Sequence, residues 1–244
     1  MQEAYSQVNG NLAALSNVVK FMELTQMLLN REPELPPFGV FHGPAGVGKS
    51  TAAIYSMNKF RAYYVQCQSC WTQKDLLAAV MVELELLAPN AKLKMQISEA
   101  VNAIGRHLAQ YPERPLVIDE ADFMIQRRKI ELVRDIAKVA EGTPATIILI
   151  GEENLPNALK AWERIDSRVL KKVRATPLTQ DDVFQLCKLF APDIEFTDGA
   201  VNKLQKVARG SARRIVTKLA GLREQAGIEG LTEIGDDWNP TEED

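Results

Sequence analysis

The sequence predicts an α/β domain whose parallel sheet is covered by helices on both faces, followed by a small all-helical lid. Four short apolar runs alternate with longer segments of helical periodicity, and a fifth, more polar run follows them. Apolar strands that alternate with helices are typical of a parallel sheet buried on both faces. We expect strands at 39–42, 62–67, 116–119, 146–150 and, at an edge of the sheet, 169–175.

The intervening segments predict the helices and the domain boundaries. Apolar residues at helical spacing predict helices at 49–59, 73–87, 96–110 and 129–141, and another at 11–30 that the prolines of 31–37 end. After Pro177 only helical patterns follow, at 179–190, 197–209 and 211–225. We therefore expect an N-terminal helix and linker, an α/β domain, a helical lid and an acidic, disordered tail, at 1–37, 38–176, 177–227 and 228–244.

Composition sets the broad class and the compartment. With 244 residues, 46% apolar and 25% charged, the chain can bury a large core, and it has no apolar run long enough to span a membrane. Its first ten residues lack the basic and apolar regions of a secretory signal. We expect a cytoplasmic protein without a membrane partner, in which Cys67, Cys70 and Cys187 are reduced structural thiols.

Charge is unevenly distributed along the chain. The net charge is −3, but residues 228–244 hold seven acids and no base, so the rest of the chain carries +4. A mildly basic body with an acidic tail permits nucleic-acid binding without requiring it. The tail is expected either to be solvated or to compete for a basic surface.

A complete phosphate-binding motif lies between the first predicted strand and the helix after it. The pattern GxxxxGK[ST] in this context is a P-loop, in which backbone N–H groups and the positive end of the helix bind phosphate oxygens. Lys49 is expected to reach the β and γ phosphates, and the Ser50 hydroxyl to bind Mg²⁺. The ATP-binding residues predicted here are Gly43, Pro44, Ala45, Gly46, Val47, Gly48, Lys49, Ser50 and Thr51.

Two acids end the predicted strand 116–119. A buried strand rarely ends in two carboxylates for packing reasons, because an unpaired buried carboxylate is costly. Asp119 is expected to join the Mg²⁺ shell, and Glu120 to polarise the water that attacks ATP. The P-loop with these two acids predicts a Mg²⁺-dependent ATPase.

The order of P-loop, Asp-Glu strand, further strand and helical lid resembles the AAA+ superfamily over most of the chain. The resemblance implies a "sensor 1" residue after strand 146–150, where Glu152 replaces the usual Asn, Ser or Thr and Asn154 is the alternative. It also implies an arginine finger, Arg168 with Arg164 as runner-up, that acts on the neighbouring subunit. Gly210-Ser211-Ala212-Arg213 resembles "sensor 2", in which Arg213 reaches the γ-phosphate.

Within AAA+ proteins the chain resembles the DNA-transposition ATPases, namely the phage Mu B protein, TnsC, TniB and IstB. The segments that carry this resemblance are PPFGVFHGPAGVGKSTAAIY, LVIDEADFM, ILIGEEN and GSARRIV. It implies rings or helical filaments on double-stranded DNA, target selection and activation of a transposase, in a bacterial host cytoplasm. Unlike the Mu protein, the sequence has no room for an N-terminal helix-turn-helix domain, so DNA binding is expected to fall on the ATPase body.

Several basic residues are candidates for contacting DNA. Arg127, Arg128 and Lys129 precede a predicted helix, where cations oppose the helix dipole and an anionic partner would relieve them. Lys74 is a further candidate. Because no aromatic residues interleave with these cations, binding is expected to be to phosphate and largely independent of sequence. Two alternatives remain open: a helicase loader or replication initiator, and an AAA+ switch that acts on a protein partner.

Overall fold

The computed structural model describes residues 15–126, 129–139 and 145–238. Within it the chain forms two compact units, and each unit is assembled from separate stretches of sequence. Of the described residues, the larger unit combines those of 21–43 with those of 56–174; the smaller combines those of 15–20, 44–55 and 175–238.

A five-stranded parallel sheet forms the centre of the larger unit and confirms the predicted fold class. Its order is β2-β3-β4-β1-β5. The inner strands β3 and β4 are buried along their whole length, which explains their continuous apolar sequences. β5 lies at an edge, as its more polar sequence predicted. The strands are β1 Phe38–His42, β2 Tyr63–Gln66, β3 Leu116–Asp119, β4 Ile147–Gly151 and β5 Val169–Arg174.

Helices flank this sheet and supply the remainder of its core. The long helices follow the predicted apolar periodicity, and Thr72 caps one of them by accepting a hydrogen bond from the N–H of Asp75. Three short helices were not predicted, because four to six residues are too few to show a helical period. The helices from Ser16 to Asp166 are α1 Ser16–Leu29, α2 Lys49–Phe60, α3 Gln73–Glu83, α4 Ile97–Gln110, α5 Asp122–Gln126, α6 Glu131–Val139, α7 Leu155–Lys160 and α8 Glu163–Asp166.

The C-terminal region contains three helices and two short strands. The helices are α9 Gln180–Phe190, α10 Asp198–Val207 and α11 Ala212–Glu229; the strands β6 Glu195–Phe196 and β7 Glu233–Ile234 pair in parallel. The prediction of an all-helical lid is therefore corrected, because this two-stranded ribbon is part of it.

The first part of the predicted acidic tail is also ordered. Lys203 Nζ donates to the carbonyl oxygens of Asp236 and Trp238 at 2.8 and 2.9 Å, and the Thr197 hydroxyl donates to the Asp236 carboxylate. These contacts and β7 attach the chain as far as Trp238. Residues 239–244 lie outside the described residues, as do residues 1–14 of the predicted N-terminal region.

The described cysteines are not joined by disulfides. Cys67 and Cys187 are buried and Cys70 is exposed. Burial raises the pKa of both buried thiols to about 12, which keeps them protonated at neutral pH. No helix in the described part of the chain is long and apolar enough to cross a membrane.

Candidate functional site

The P-loop connects the end of β1 to the start of α2. Gly46 and Gly48 adopt φ of +79° and +95°, a left-handed conformation that favours glycine because it has no Cβ. The helix begins at Lys49, so its first N–H groups and the positive end of its dipole point to the loop. Lys49 Nζ donates to the Pro44 carbonyl at 2.7 Å. Sequence and backbone together make this loop a phosphate-binding nest.

The start of α11 is hydrogen-bonded to the P-loop. The N–H of Arg213 donates to the Gly46 carbonyl at 3.1 Å, and the Ser211 hydroxyl donates to the same oxygen at 3.3 Å. A Cβ on Gly46 would lie only 2.7 Å from Ser211 Oγ, so the serine side chain would have to rotate away from the Gly46 carbonyl. These bonds hold the exposed side chain of Arg213, in the first turn of α11, beside the phosphate-binding loop.

Asn17 supports the P-loop from behind, and sequence reasoning did not find it. Its side chain is 1% exposed, and its Nδ2 donates to the carbonyls of Val47 and Thr176 at 2.9 and 2.8 Å. The N–H of Thr176 donates back to Asn17 Oδ1 at 3.0 Å. One buried amide thus joins the P-loop, the first turn of α1 and the start of the C-terminal region. The only signal in the sequence was a polar residue on an apolar helix face.

Asp119 and Glu120 occupy the carboxyl end of β3. Asp119 is 2% exposed, and the hydroxyl of Tyr64 on the neighbouring β2 donates to its Oδ2 at 2.8 Å. The N–H of Glu120 donates to Asp119 Oδ1, also at 2.8 Å. Tyr64 was another residue that the sequence did not reveal, because its role depends on the pairing of β2 with β3.

Glu120 has an unusual backbone conformation. Its φ is +55°, in the left-handed region that non-glycine residues rarely occupy. Such strain is concentrated at functional sites, where the surrounding structure maintains it. The half-buried Glu120 turns the chain directly after the buried Asp119. The two adjacent carboxylates are therefore held in different environments.

The Asp119 carboxylate and the Ser50 hydroxyl are oxygen ligands of the kind that Mg²⁺ prefers. Magnesium prefers oxygen ligands and is commonly held by one or two carboxylates together with substrate phosphates. Asp119 supplies a carboxylate of this kind, and a carboxylate has about four lone-pair sites. The half-buried Ser50 hydroxyl, in the first turn of α2, is a donor of the same kind. Asp119 and Ser50, each taken by itself, therefore offer the kind of oxygen ligand that Mg²⁺ prefers.

The two candidates for sensor 1 lie directly after β4. Glu152 and Asn154 are both exposed. The N–H of Glu152 donates to Asp122 Oδ2 at 2.8 Å, which fixes the backbone, and Asn154 Oδ1 accepts a bond from Asn157 at 3.3 Å. Glu153, between them, forms an ion pair with Arg174. Neither candidate has a contact that distinguishes it, so sensor 1 stays a prediction.

Arg168 follows α8 and precedes β5, as the arginine-finger prediction requires in sequence. Its Nη1 donates to the carbonyl of Arg164 at 2.5 Å, so the guanidinium lies at the end of a short helix. Arg164 itself is exposed. To act on a neighbouring subunit, the Arg168 guanidinium would have to leave the Arg164 carbonyl and bind a phosphate of the ATP held by that subunit.

The predicted DNA contact at Lys129 is wrong. Its side chain is only 1% exposed, and its Nζ donates to the Trp71 carbonyl at 2.7 Å. The ammonium group is therefore hydrogen-bonded inside the larger unit and does not face solvent. Lys74 is exposed in the first turn of α3 and keeps its candidacy. Arg127 and Arg128 lie outside the described residues.

Comparison with protein families identifies the domain. Residues 31–159 match the family model described as AAA domain, which covers more than half of the chain. The chain therefore belongs to this family and contains an AAA-type P-loop ATPase domain. A comparison with curated protein sequences returns no match.

Solved structures share the fold at low sequence identity. The ORC2 protein of Aeropyrum pernix, solved in ADPNP-ADP complexes, has 16% identity and a TM-score of 0.68, with 90% of this chain and 65% of that chain covered. ORC1 of the same organism, in complex with DNA, has 17% identity and a TM-score of 0.67, with 90% and 62% covered. The RuvB Holliday junction branch migration motor of Thermotoga maritima has 17% identity and a TM-score of 0.58, with 95% and 66% covered. The chain thus spans less than two thirds of the two Aeropyrum proteins.

Proposed function

We propose that this protein is a Mg²⁺-dependent ATPase that assembles with copies of itself and binds double-stranded DNA through its ATPase body. The assembly hydrolyses ATP to ADP and phosphate, selects target DNA and activates a transposase. The observation that carries the ATPase part is the P-loop with left-handed Gly46 and Gly48, in the same chain as a buried strand that ends in Asp119 and strained Glu120.

Each of these residues has a part in the proposed reaction. Lys49 leaves the Pro44 carbonyl to bind the β and γ phosphates of ATP, and Arg213 binds the γ-phosphate from the start of α11. Mg²⁺, when bound through Ser50 and Asp119, neutralises charge on the phosphate oxygens. Glu120 orients the attacking water and accepts its proton.

Hydrolysis is proposed to depend on a second copy of the chain. Arg168 of one subunit acts on the γ-phosphate bound to its neighbour, and a finger of this kind is worth roughly 10³-fold or more in turnover. ATP would therefore join subunits, and its hydrolysis would release them. Because one subunit offers few phosphate contacts, linking several subunits would convert modest binding into avidity for DNA.

Two lines of support point to DNA. The transposition branch is supported by the sequence resemblance in the P-loop, the Asp-Glu strand and the start of α11. The fold shared with ORC1, solved with DNA, and with the RuvB branch migration motor is consistent with DNA as a partner. The ORC proteins also favour a second candidate, a replication initiator or helicase loader built from the same ATPase parts.

The test is binding to random-sequence duplex DNA over a salt series with ATP, with ADP and without nucleotide. We expect tight binding with ATP only and a slope of log affinity against log salt of roughly −2 to −3 for each subunit that makes two or three phosphate contacts. Equal affinity in all three states would contradict the ATP switch. Absence of binding at low salt with ATP would contradict the DNA function and favour an ATPase that acts on a protein partner.

A second assay separates the two DNA functions. Transposase activity is measured on DNA already occupied by the ATP-bound protein and on DNA left bare. The transposition proposal expects insertion at the occupied DNA. Unchanged insertion, together with ATP-dependent deposition of a replicative helicase on the same DNA, would replace it with the initiator or loader function.

A further inference from the structure

A groove lies at the edge of the sheet where the strands begin. Its volume is about 800 Å³, within the range of about 300–1,000 Å³ found for ligand pockets. Arg61 and Arg114 line it just before β2 and β3, and Thr146 lines it just before β4. Asp119 is at the opposite end of β3, about 13 Å away for four residues of strand. A ligand in this groove would therefore leave the Asp119–Glu120 edge open.

Positive charge is concentrated in the groove. Among the described residues that line it four are cationic and only Glu113 is acidic, although the whole chain carries −3. Lys59 and Arg61 are exposed and Arg114 is half-buried. Among the described residues no carboxylate lies within ion-pair distance of Lys59, Arg61 or Arg114. The groove therefore favours an anionic ligand.

Arg114 is held in place before any ligand arrives. Its Nε donates to the Arg61 carbonyl at 2.8 Å, and its guanidinium carbon lies 4.0 Å from the centroid of the Tyr63 ring. Arg61 has φ of +49°, a left-handed turn that presents its carbonyl for this bond. A planar guanidinium fixed by a hydrogen bond and an aromatic face loses little entropy when it binds phosphate.

An aromatic row borders the cations. Tyr111 is 40% exposed, and its ring centroid is 5.0 Å from that of His107, which is in turn 5.6 Å from that of Tyr63. Phe60, between Lys59 and Arg61, is half-buried in the groove lining. An exposed ring supported from behind is a surface on which a nucleic-acid base can stack.

We propose that this groove binds a single strand of nucleic acid, with phosphates on Lys59, Arg61 and Arg114 and an unpaired base on Tyr111. A basic groove with exposed aromatic rings is the combination that binds single strands without sequence preference. A duplex keeps its bases stacked inside the helix and cannot offer one to Tyr111. The proposal rests on the proposed function only in taking nucleic acid as the partner.

The first experiment measures fluorescence anisotropy of a labelled oligothymidylate of about 12 nucleotides, without ATP, over a salt series. Lys59→Gln with Arg61→Gln removes two groove cations but keeps the Arg61 carbonyl that holds Arg114. Single strands lose about 0.7 in salt slope per phosphate contact, so this variant should lower the slope by about 1.4. The matched control, Lys138→Gln with Lys160→Gln, removes two exposed cations of the same unit outside the groove and should bind like the wild type.

The second experiment tests the aromatic surface. Base stacking on an aromatic residue is worth about 5- to 150-fold in affinity, so Tyr111→Leu should weaken oligothymidylate binding by about tenfold or more. Tyr111→Phe keeps the ring and should bind within about twofold of the wild type. Equal affinity of the wild type and Tyr111→Leu, with the slope unchanged in the double variant, would overturn the proposal.

Two further outcomes separate the possible occupants and the two proposals. If a peptide of residues 239–244 binds through Lys59 and Arg61 and oligothymidylate does not, the occupant is an acidic segment and the proposal is overturned. Duplex binding with ATP is measured on the same variants. If the wild type shows no ATP-dependent duplex binding but its binding of the oligonucleotide depends on the groove residues, the proposed function is refuted and the groove proposal is retained.

Discussion

Replacement of Asn17 by alanine tests how the P-loop is supported. The Asn17 side chain is 1% exposed and makes three hydrogen bonds, one with the Val47 carbonyl and two with the backbone of Thr176. Alanine removes all three bonds, so the carbonyls of Val47 and Thr176 and the N–H of Thr176 lose their partner. At a net of about 0.5–1.5 kcal/mol per bond, the free energy of unfolding should fall by about 3 kcal/mol.

The expected loss of about 3 kcal/mol in the free energy of unfolding also determines the expected fall in Tm. A domain of about 150–250 residues loses about 2–4 °C in Tm per kcal/mol, so Asn17→Ala should melt about 6–12 °C below the wild type. Asn17→Asp should be at least as damaging, because it keeps the shape of the side chain but places a carboxylate oxygen against two carbonyl oxygens. ATP affinity should fall as well, since Val47 belongs to the P-loop.

Calorimetry or thermal melting followed by circular dichroism measures the effect, and titration with ATP measures the consequence for the site. Gln26→Ala is the control, because this exposed amide of α1 makes a single side-chain hydrogen bond, with Asn30 directly after the helix. Its stability should change by less than about 0.5 kcal/mol. A Tm for Asn17→Ala within about 2 °C of the wild type, with ATP affinity unchanged, would refute the assigned role of Asn17.

Two other substitutions test the catalytic groups. Tyr64→Phe removes a hydrogen bond to a carboxylate worth about 1.5–3 kcal/mol, so kcat should fall about tenfold or more and the Mg²⁺ concentration for half-maximal activity should rise. Tyr63→Phe is the control, because the Tyr63 hydroxyl pairs with His107 instead. Equal kcat in both variants would contradict the role of Tyr64. Arg168→Ala should lower turnover by roughly 10³-fold without affecting folding of the monomer, and mixing it with Lys49→Ala subunits should partly restore activity. Normal turnover by Arg168→Ala would transfer the assignment to Arg164.

The sheet could be predicted because its strands are short apolar runs with a strong local signal. β3 was predicted at its observed bounds, and the other four strands of the sheet within one residue at each end. The short ribbon of β6 and β7 was missed because two-residue strands have no pattern of their own. β7 also lies within the acidic segment 228–244, which by composition alone resembled a disordered tail.

The site could be predicted only where local sequence determines it. The P-loop and the Asp-Glu strand are contiguous motifs whose chemistry depends on neighbouring residues. Asn17 and Tyr64 contact residues far away in sequence, 159 positions away for Thr176 and 55 for Asp119. No spacing rule in the sequence connects such partners.

Charge was the least informative feature of the sequence. Lys129 was grouped with Arg127 and Arg128 as a DNA contact, but its stem is buried and its ammonium group binds the Trp71 carbonyl. The cations of the groove, in contrast, come from separate segments around Lys59 and Arg114. Folding brings them together, and the sequence shows each only as an isolated surface charge.

We expect the P-loop to bind ATP and Glu120, at the end of β3, to act in its hydrolysis. The most direct measurement is ATP binding and single-turnover hydrolysis of the wild type, Lys49→Ala and Glu120→Gln under the same conditions. We predict that Lys49→Ala loses ATP binding. Glu120→Gln should bind ATP like the wild type, hydrolyse it about 10²-fold or more slowly and accumulate as an ATP-bound oligomer. Wild-type ATP affinity in Lys49→Ala, or wild-type hydrolysis in Glu120→Gln, would contradict this prediction.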